Sequence, residues 1–386
     1  MLVKLSNQAL DYAWGSKTLI SDYFGIPATG KPMAEIWFGT HDGSPTEIVG
    51  QGHSLQEVLS SQGRASRLPF LLKILAAEAP LSIQAHPNPA QAIEGFNEEN
   101  AQGIPVDAPN RNYKDDKAKP ELIVALTERF DALVGFSDKA LIQERFSELL
   151  EASSNVALNS VLTKWIHLLD SESGIKKVFI DTLTSSECDE SFISNLIDAA
   201  EQCPALVDLV VHLAEHHGKD RGIASALLMN HMILTRGEGV FVPAGMPHAY
   251  LSGLGIEVML ASDNVLRGGL TPKHIDVAEL SKVLVFESTE PSLVETKTMA
   301  VGFEKFNLPT PEFAFYRASV GSNNLLADLN LPGDSIVLCT EGSVAVSNSQ
   351  GESEVINRGE AVFLAGDARS FSLAGTGTVF MAVSSS

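Results

Sequence analysis

Basic residues are scarce in this sequence: 27 lysines and arginines stand against 48 aspartates and glutamates in 386 residues, a formal net charge of −21 at pH 7. A field of this sign repels DNA, RNA and anionic membrane surfaces, so we expect no nucleic-acid or membrane partner. No apolar stretch reaches the length of a transmembrane helix, and the opening stretch MLVKLSNQALDYAWG lacks the basic start and apolar core of a signal peptide. These absences predict a cytoplasmic protein.

Cysteine is also rare, with only Cys188, Cys203 and Cys339, which are far apart in the chain. They form no CxxC or Cys/His spacing, so the sequence supports neither a disulfide framework nor a thiolate zinc site. Hydrophobic residues make up 44% of the chain and charged residues 19%, which is typical of a globular protein. A chain of this length is expected to form two or three lobes, each with its own core.

The texture of the sequence changes twice along the chain. Short apolar runs broken by Gly, Pro and Ser predict strands up to residue 137, with a short helix in SLQEVLSSQG (54–63). Apolar residues at three- and four-residue spacing then predict helices over 138–230, and the strand texture returns from 231 to the end. We expect a mainly β fold with an all-helical insert, divided as 1–137 and 231–290 for one β-domain, 138–230 for the helices, and 291–386 for a C-terminal β-domain.

An internal repeat supports two related β-modules. RGEGVFVPAG (236–245) and RGEAVFLAGD (358–367) share Arg, Gly, Glu, Val and Phe in register. The second copy has Ser370 where the first has His248, so we expect the C-terminal module to lack a metal site.

Two motifs carry candidate metal ligands. In LSIQAHPNP (81–89), Gln84 and His86 end an apolar run that begins at Leu68, and a continuous strand would turn both side chains to one face. The second motif, G-x5-P-x-G-x2-H over 237–248, ends at His248 and matches the second motif of the cupin β-barrels in spacing. A barrel of this size can hold one metal if three or four ligands converge inside it.

Glu121, in KPELIVAL, is the candidate carboxylate ligand because it opens an apolar strand directly after Lys119 and a proline. Two imidazoles, a carboxylate and an amide oxygen suit a divalent first-row metal, and zinc fits because the set has no redox-specific feature. Each residue also has a structural interpretation: Gln84 as a hydrogen-bonded strand end, and Glu121 as the ion-pair partner of Lys119.

Four strings resemble type I mannose-6-phosphate isomerases: YAWGS (12–16), PLSIQAHPNP (80–89), KPELIVALT (119–127) and the long segment VFVPAGMPHAYLSGLGIEVMLASDNVLRGGLTPKHID (240–276). The resemblance implies a zinc-bearing cupin domain, an inserted helical domain and a second cupin-like domain. It also implies interconversion of mannose 6-phosphate and fructose 6-phosphate through an enediol. We therefore expect a sugar phosphate as the partner, and we expect a monomer.

Carried over by motif, the resemblance implies one Zn²⁺ per chain with the ligands Gln84, His86, Glu121 and His248. It implies Arg267 as a catalytic residue, and it implies a site lined by Lys119, Tyr250, Glu257, Asp263 and Lys273, to which we add Ser82 as a substrate contact. We favour Lys119 as the general base because a nearby cation disfavours its charged form, with Glu257 and Asp263 as competitors. The family usually has His before the Lys of its KPE motif, and Ala118 stands there in this chain.

Two other functions fit parts of the same pattern. An iron-dependent cupin oxygenase would use His86, Glu121 and His248 as a facial triad, and its bound metal and oxygen consumption would distinguish it. A non-catalytic sugar-phosphate sensor would bind without turnover. A further group, His212, His216 and His217, has metal-like spacing on a predicted helix, but without an HExxH motif we interpret it as a polar helix face.

Overall fold

The computed structural model describes residues 1–321, 325–367 and 370–385, and within these ranges the chain forms two antiparallel sheets and ten helices. The strands are β1 (Leu2–Ser6), β2 (Glu35–Phe38), β3 (Glu47–Ile48), β4 (Phe70–Ala77), β5 (Gln84–Ala85), β6 (Glu121–Ala125), β7 (Phe130–Phe136), β8 (Met229–Leu234), β9 (Gly239–Val242), β10 (His248–Leu260), β11 (Leu266–Arg267), β12 (Thr296–Ala300), β13 (Phe303–Phe306), β14 (Phe313–Val320), β15 (Leu326–Leu329), β16 (Ser335–Asn348), β17 (Ser353–Asn357), β18 (Ala361–Leu364) and β19 (Phe371–Ser384). The helices are α1 (Leu19–Phe24), α2 (Leu55–Ser61), α3 (Pro89–Ala101), α4 (Lys139–Ala152), α5 (Val156–Leu169), α6 (Gly174–Thr184), α7 (Glu190–Ala200), α8 (Val207–His217), α9 (Gly222–Ala226) and α10 (Val277–Val283).

The nine-stranded sheet is organised around β10, which has neighbours on both edges. The first part of β10 pairs with β5 and β7, and its second part pairs with β4 and β6. The remaining strands extend these pairs, β2 beside β4, β9 beside β6, β8 beside β7 and β11 beside β5. Side chains from several distant parts of the sequence are therefore brought together around β10.

Six helices, α4 to α9, lie between β7 and β8 in the sequence. Yet β7 and β8 are hydrogen-bonded to each other, with Phe130 opposite Leu234. The helices therefore form an excursion that leaves the nine-stranded sheet and returns to the adjacent strand. Their apolar faces meet in one cluster around the fully buried Trp165, as the three- and four-residue spacing predicts. No described helix combines the length and apolar character that crossing a bilayer would require.

The ten-stranded sheet contains the C-terminal strands and also the first strand of the chain. β1 lies between β18 and β3, with Leu2 opposite Leu364 and Leu5 opposite Ile48. An apolar cluster between the sheets contains Leu5 together with Leu72 and Phe363. The first strand thus joins residues of the C-terminal segment, which the order of the sequence alone does not reveal.

The internal repeat has the same structure in both copies. β9 spans Gly239–Val242 and β18 spans Ala361–Leu364, which are equivalent positions of the two matched strings. Each is followed by a long strand, β10 or β19, and each long strand has neighbours on both sides in its own sheet. The predicted helix in 54–63 is confirmed as α2, whose N-cap Ser54 and Glu57 form a reciprocal capping box.

The apolar run from Leu68 to Gln84 does not form one continuous strand. β4 ends at Ala77, and after a connection through Pro80 only Gln84 and Ala85 form the short strand β5. Proline cannot donate to a strand ladder, and the backbone amide of Glu78 instead donates to the carbonyl of Trp14. After this break the chain pairs with β10 again, with Gln84 opposite His248, just before it reaches His86.

Candidate active site

A β-bulge determines which side chains of β10 face the site. The register with β7 shifts between Tyr250 and Ser252, and Gly253 follows with φ of 120°, where a Cβ would lie 2.8 Å from the ring of Phe130. One inserted residue reverses the alternation of side chains between the two faces of the strand. Tyr250 before the bulge and Glu257 beyond it therefore line the same small cavity.

Three side chains converge at this point from β6, β10 and the residue after β5. The Glu121 Oε1 atom lies 3.2 Å from His86 Nε2, and its Oε2 atom lies 3.3 Å from His248 Nε2. The two imidazole centroids are 4.9 Å apart, and the three residues are 0%, 3% and 3% exposed for His86, Glu121 and His248. One ligand atom from each residue can lie within 4.8 Å of the other two, which suits a single ion.

The proton positions in this cluster favour a cation. His86 Nδ1 lies 2.7 Å from the carbonyl oxygen of Asn264, which can only accept, so Nδ1 carries the proton and Nε2 keeps a lone pair. His86 Nε2 is buried and has no hydrogen-bond partner among the described residues, although it faces the carboxylate of Glu121. His248 Nδ1 lies 3.2 Å from the carbonyl of Met246, which orients that ring in the same way. Two lone pairs directed at a carboxylate repel it unless a metal lies between them, so these residues fit a divalent ion.

Burial and the neighbouring Lys119 ammonium lower the pKa of His86 from 6.5 to about 4. In metal-free protein between pH 6.5 and about pH 4, His86 of the unfolded chain takes up a proton, whereas His86 of the folded protein stays neutral. We therefore expect stability that is full above pH 6.5 and is lost progressively as pH falls toward 4. Urea unfolding of chelator-treated protein across this pH range measures the slope of the free energy of unfolding against pH. A His86→Gln variant with an unchanged slope would contradict the assignment.

Gln84 is the cross-strand neighbour of both His248 and Arg267. Its side chain lines both the small cavity beside Glu121 and a larger cavity in front of it. Within the described ranges its amide group makes no hydrogen bond, so its oxygen is available to a ligand.

A second buried network lies next to Glu121. Lys73 Nζ is 2.9 Å from Glu257 Oε2 and 3.5 Å from Glu35 Oε1, and Lys119 Nζ is 2.9 Å from Glu121 Oε1. These three carboxylates and two ammonium groups sum to one negative charge, which a divalent ion would reverse. Burial alone would lower the pKa of Lys73, but Glu257 and Glu35 outweigh it and raise the pKa. Burial raises the pKa of Glu257 despite Lys73.

Tyr250 contributes a hydroxyl group to the same cavity. It is 3% exposed, and its hydroxyl donates to Glu121 Oε2 at 3.4 Å. Burial, together with the charges of Glu121 and Glu257, raises its pKa well above 10. Tyr250 therefore remains a neutral hydrogen-bond donor at any physiological pH.

The larger cavity has a volume of about 580 Å³ and opens in front of Gln84. Arg267 and Lys273 both line it, and no carboxylate pairs with either of them in the described part of the chain. Burial lowers the pKa of both, and the charge of Arg267 adds to the effect on Lys273. These two cations make this wall a site for an anion, and Ser82 lies on the same cavity surface.

Not every sequence candidate lies in these cavities. Asp263 is nearly half exposed and pairs with His41, with Oδ2 and Nε2 3.4 Å apart. Its neighbour Asn264 is fully buried, and besides accepting from His86 it holds the loop around Asp115 through its side-chain amide. Ala118 is buried beside Lys119 and offers no polar group.

Sequence reasoning missed Lys73, Glu35 and Asn264. A signal was present for Lys73, because it is the only charged residue in the strand FLLKILAA, all of whose residues are buried. A lysine in such a strand requires buried partners. The sequence around Asn264 offers no comparable signal.

Comparison with known proteins gives a consistent result. Residues 2–139 match the model of the phosphomannose isomerase type I catalytic domain. The mannose-6-phosphate isomerases of Salmonella typhimurium and Escherichia coli are 35% and 34% identical to the chain, each alignment covering 97% of both sequences. This chain belongs to the type I mannose-6-phosphate isomerase family. A crystal structure of the Salmonella typhimurium enzyme bound to substrate (f6p) and zinc superposes with a TM-score of 0.87, at 32% identity and 99% coverage of both chains.

The family relationship extends beyond the segment that matches the catalytic-domain model. Because the alignments cover 97% of the chain, they include the helices α4 to α9 and the ten-stranded sheet. The mannose-6-phosphate isomerase family is therefore related to this protein along its whole length, and not only through the residues around the metal-ligand cluster.

Proposed function

We propose that this protein is a zinc-dependent isomerase that interconverts mannose 6-phosphate and fructose 6-phosphate. The observation that carries this proposal is the cluster of two imidazole lone pairs and one carboxylate, buried next to a cavity lined by Arg267 and Lys273. A metal site adjoining an anion site suits a phosphorylated substrate whose reacting oxygens face the metal. The curated relatives with this activity, including the enzyme solved with substrate and zinc, support the choice of reaction.

His86, Glu121 and His248 would hold the zinc ion, with the amide oxygen of Gln84 as a fourth ligand. When bound, the metal would supply Lewis-acid stabilisation to a substrate oxygen that becomes negative during the reaction. The carbonyl groups of Asn264 and Met246 orient the two imidazoles for this task. Tyr250 adds a hydrogen-bond donor next to Glu121 Oε2, the oxygen that also faces His248.

Arg267 and Lys273 would bind the phosphate or the developing negative charge. Arg267 lies directly opposite Gln84 across the β5–β11 pair, so it is nearer the metal ligands, whereas Lys273 lies beyond the end of β11 on the cavity wall. We assign Arg267 to the reacting part of the substrate and Lys273 to its phosphate. An arginine can hold an oxyanion with its planar fork, and a lysine acts as a point charge.

The reaction moves one proton between neighbouring carbons. A proton leaves the carbon beside the carbonyl while the carbonyl oxygen gains one, which gives an enediol; a proton then returns to the former carbonyl carbon while the neighbouring hydroxyl loses one. Lys119 remains our proposed carrier and Glu257 its competitor: both line the small cavity beside Glu121, Lys119 paired with Glu121 and Glu257 paired with Lys73, each at 2.9 Å. The pH profile of kcat/KM in Lys119→Met and Glu257→Gln variants distinguishes the two: the carrier's variant loses one limb of the profile.

A coupled assay tests the proposed activity. Purified protein is given mannose 6-phosphate or glucose 6-phosphate, and the metal content of the same sample is measured. We expect turnover of mannose 6-phosphate, its loss after chelation and its recovery with zinc. Full activity without metal would refute the metal's role, binding without turnover would favour a sensor, and oxygen consumption with bound iron would favour an oxygenase.

Replacing Arg267 with Ala is expected to lower kcat about 10²- to 10³-fold, since one donor to developing charge is lost. Replacing Lys273 with Ala should mainly raise KM. Lys297, exposed on β12 of the other sheet, provides the control, and Lys297→Ala should leave both constants unchanged. A near-normal kcat in Arg267→Ala would remove Arg267 from the reaction.

We also propose the finer architecture. The antiparallel strands around β10 suit a cupin barrel, and the repeat strands β9 and β18 suit a second cupin-like module in 291–386. The division into 1–137, 138–230 and 231–290 is supported by the pairing of β7 with β8 around the helices, while β1 and β3 attach to the other sheet. A monomer in the cytoplasm is the simplest state for a site built from one chain.

A further inference from the structure

Helix α8 carries a second group of metal-ligating side chains, in the string HLAEHH that ends it. His212, Glu215 and His216 are at positions i, i+3 and i+4, which share one helix face. One ligand atom from each of the three can lie within 4.8 Å of the other two, and the two imidazole centroids are 5.0 Å apart. The group lies on the helical excursion and shares no residue with the buried cluster around Glu121.

These side chains are available to a ligand. Glu215 and His216 are exposed, and in the described part of the chain neither makes a hydrogen bond or ion pair. His212 Nε2 lies 3.5 Å from the carbonyl of Leu251, a group that can only accept, which leaves the lone pair on Nδ1. A histidine that donates one ring nitrogen to a backbone carbonyl and offers the other is the usual arrangement of a metal ligand. His217 is oriented differently, since its Nε2 donates to the carbonyl of Pro80 at 2.9 Å.

We propose that His212, Glu215 and His216 form a second metal site, which binds a divalent first-row transition ion such as Zn²⁺. Two imidazoles and one carboxylate favour zinc, nickel or copper over magnesium or calcium, which prefer oxygen ligands. The order H-x-x-E-H is also the inverted form of the HExxH zinc motif, whose two histidines bind the metal. The interpretation of this stretch as a merely polar face rested on the absence of the forward motif.

The location places this second site on the wall of the substrate cavity beside the first. His216 lies on the wall of the cavity of about 580 Å³ that also contains Arg267 and Lys273, so an ion bound there adds positive charge to the same wall. The site itself depends only on the geometry of α8 and not on the proposed activity.

Zinc stoichiometry tests the proposal. Full-length protein is equilibrated with a saturating, buffered concentration of free Zn²⁺, and zinc per chain is measured by mass spectrometry. We expect two ions in the unmodified protein, one in His212→Ala, one in Glu121→Gln and none in the double variant. His167, an exposed histidine in the last turn of α5, gives the matched control, and His167→Ala should keep two.

One ion in the unmodified protein at saturation overturns the proposal, as do two ions in His212→Ala. Circular dichroism establishes whether each variant remains folded. If His212→Ala unfolds, Glu215→Gln replaces it: this substitution keeps the side-chain shape, and should weaken the second zinc at least about tenfold. If the unmodified protein lacks the ion that Glu121→Gln removes, the proposed active site fails and the site on α8 does not. The failures of the two proposals are therefore distinguishable.

Discussion

Replacing Glu121 with Gln is expected to remove the metal from the buried cluster and to lower turnover by at least about 10²- to 10³-fold. Glu121 is the carboxylate between the two imidazole lone pairs, with its oxygens 3.2 Å and 3.3 Å from His86 Nε2 and His248 Nε2. A neutral amide of the same shape offers weaker attraction to a cation. It also deprives Lys119 of its 2.9 Å ion-pair partner.

Metal content and steady-state kinetics of the Glu121→Gln protein check this expectation. Glu47, exposed on β3, gives a control with the same chemical change, and Glu47→Gln should retain both metal and activity. A Glu121→Gln protein that keeps its metal and most of its turnover would show that the cluster is a hydrogen-bonded part of the core and not a catalytic centre.

Replacing Lys73 with Met is expected to destabilise the protein by about 3–5 kcal/mol, the usual cost of removing one partner from a buried ion pair. Glu257 and Glu35 would then lie buried, at 2% and 6% exposure, without the ammonium group that now separates them. Their mutual repulsion and burial favour protonation or unfolding. We also expect loss of turnover, because Glu257 and Tyr250 line the small cavity beside Glu121.

Urea unfolding measures the loss of stability in Lys73→Met, and two further variants serve as comparisons. Adding Glu257→Gln to Lys73→Met should recover part of the lost stability, because it removes one of the stranded charges. Lys31, whose ion pair with Asp11 is largely exposed, serves as the comparison, and Lys31→Met should cost less than about 1 kcal/mol. Equal effects at Lys31 and Lys73 would contradict the role of burial.

Local signals in the sequence determined the elements and many of the candidate residues. Ser54 and Asn88 each begin a helix with a capping box, because the required partners lie three residues away. The helical segment follows from apolar spacing alone. The repeat at 236–245 and 358–367 yields strands at equivalent positions, since similar short strings make similar local choices. The motifs also predicted Gln84, His86, Glu121 and His248 as the metal ligands, and the structure brings the last three together.

Only the tertiary structure decided how these pieces meet. The bulge after Tyr250 brings Glu257 to the same cavity, and after the break at Ala77 the chain pairs with β10 again and places Gln84 opposite His248. Strand pairing places Lys73 between the carboxylates of Glu35 and Glu257, which are far from it in the sequence. Asp263 pairs with His41 and lies outside the cavities. Motifs and periodicity depend on neighbours within a few residues. Convergence depends on which strands pair and in which register, and that is set by the packing of the whole chain.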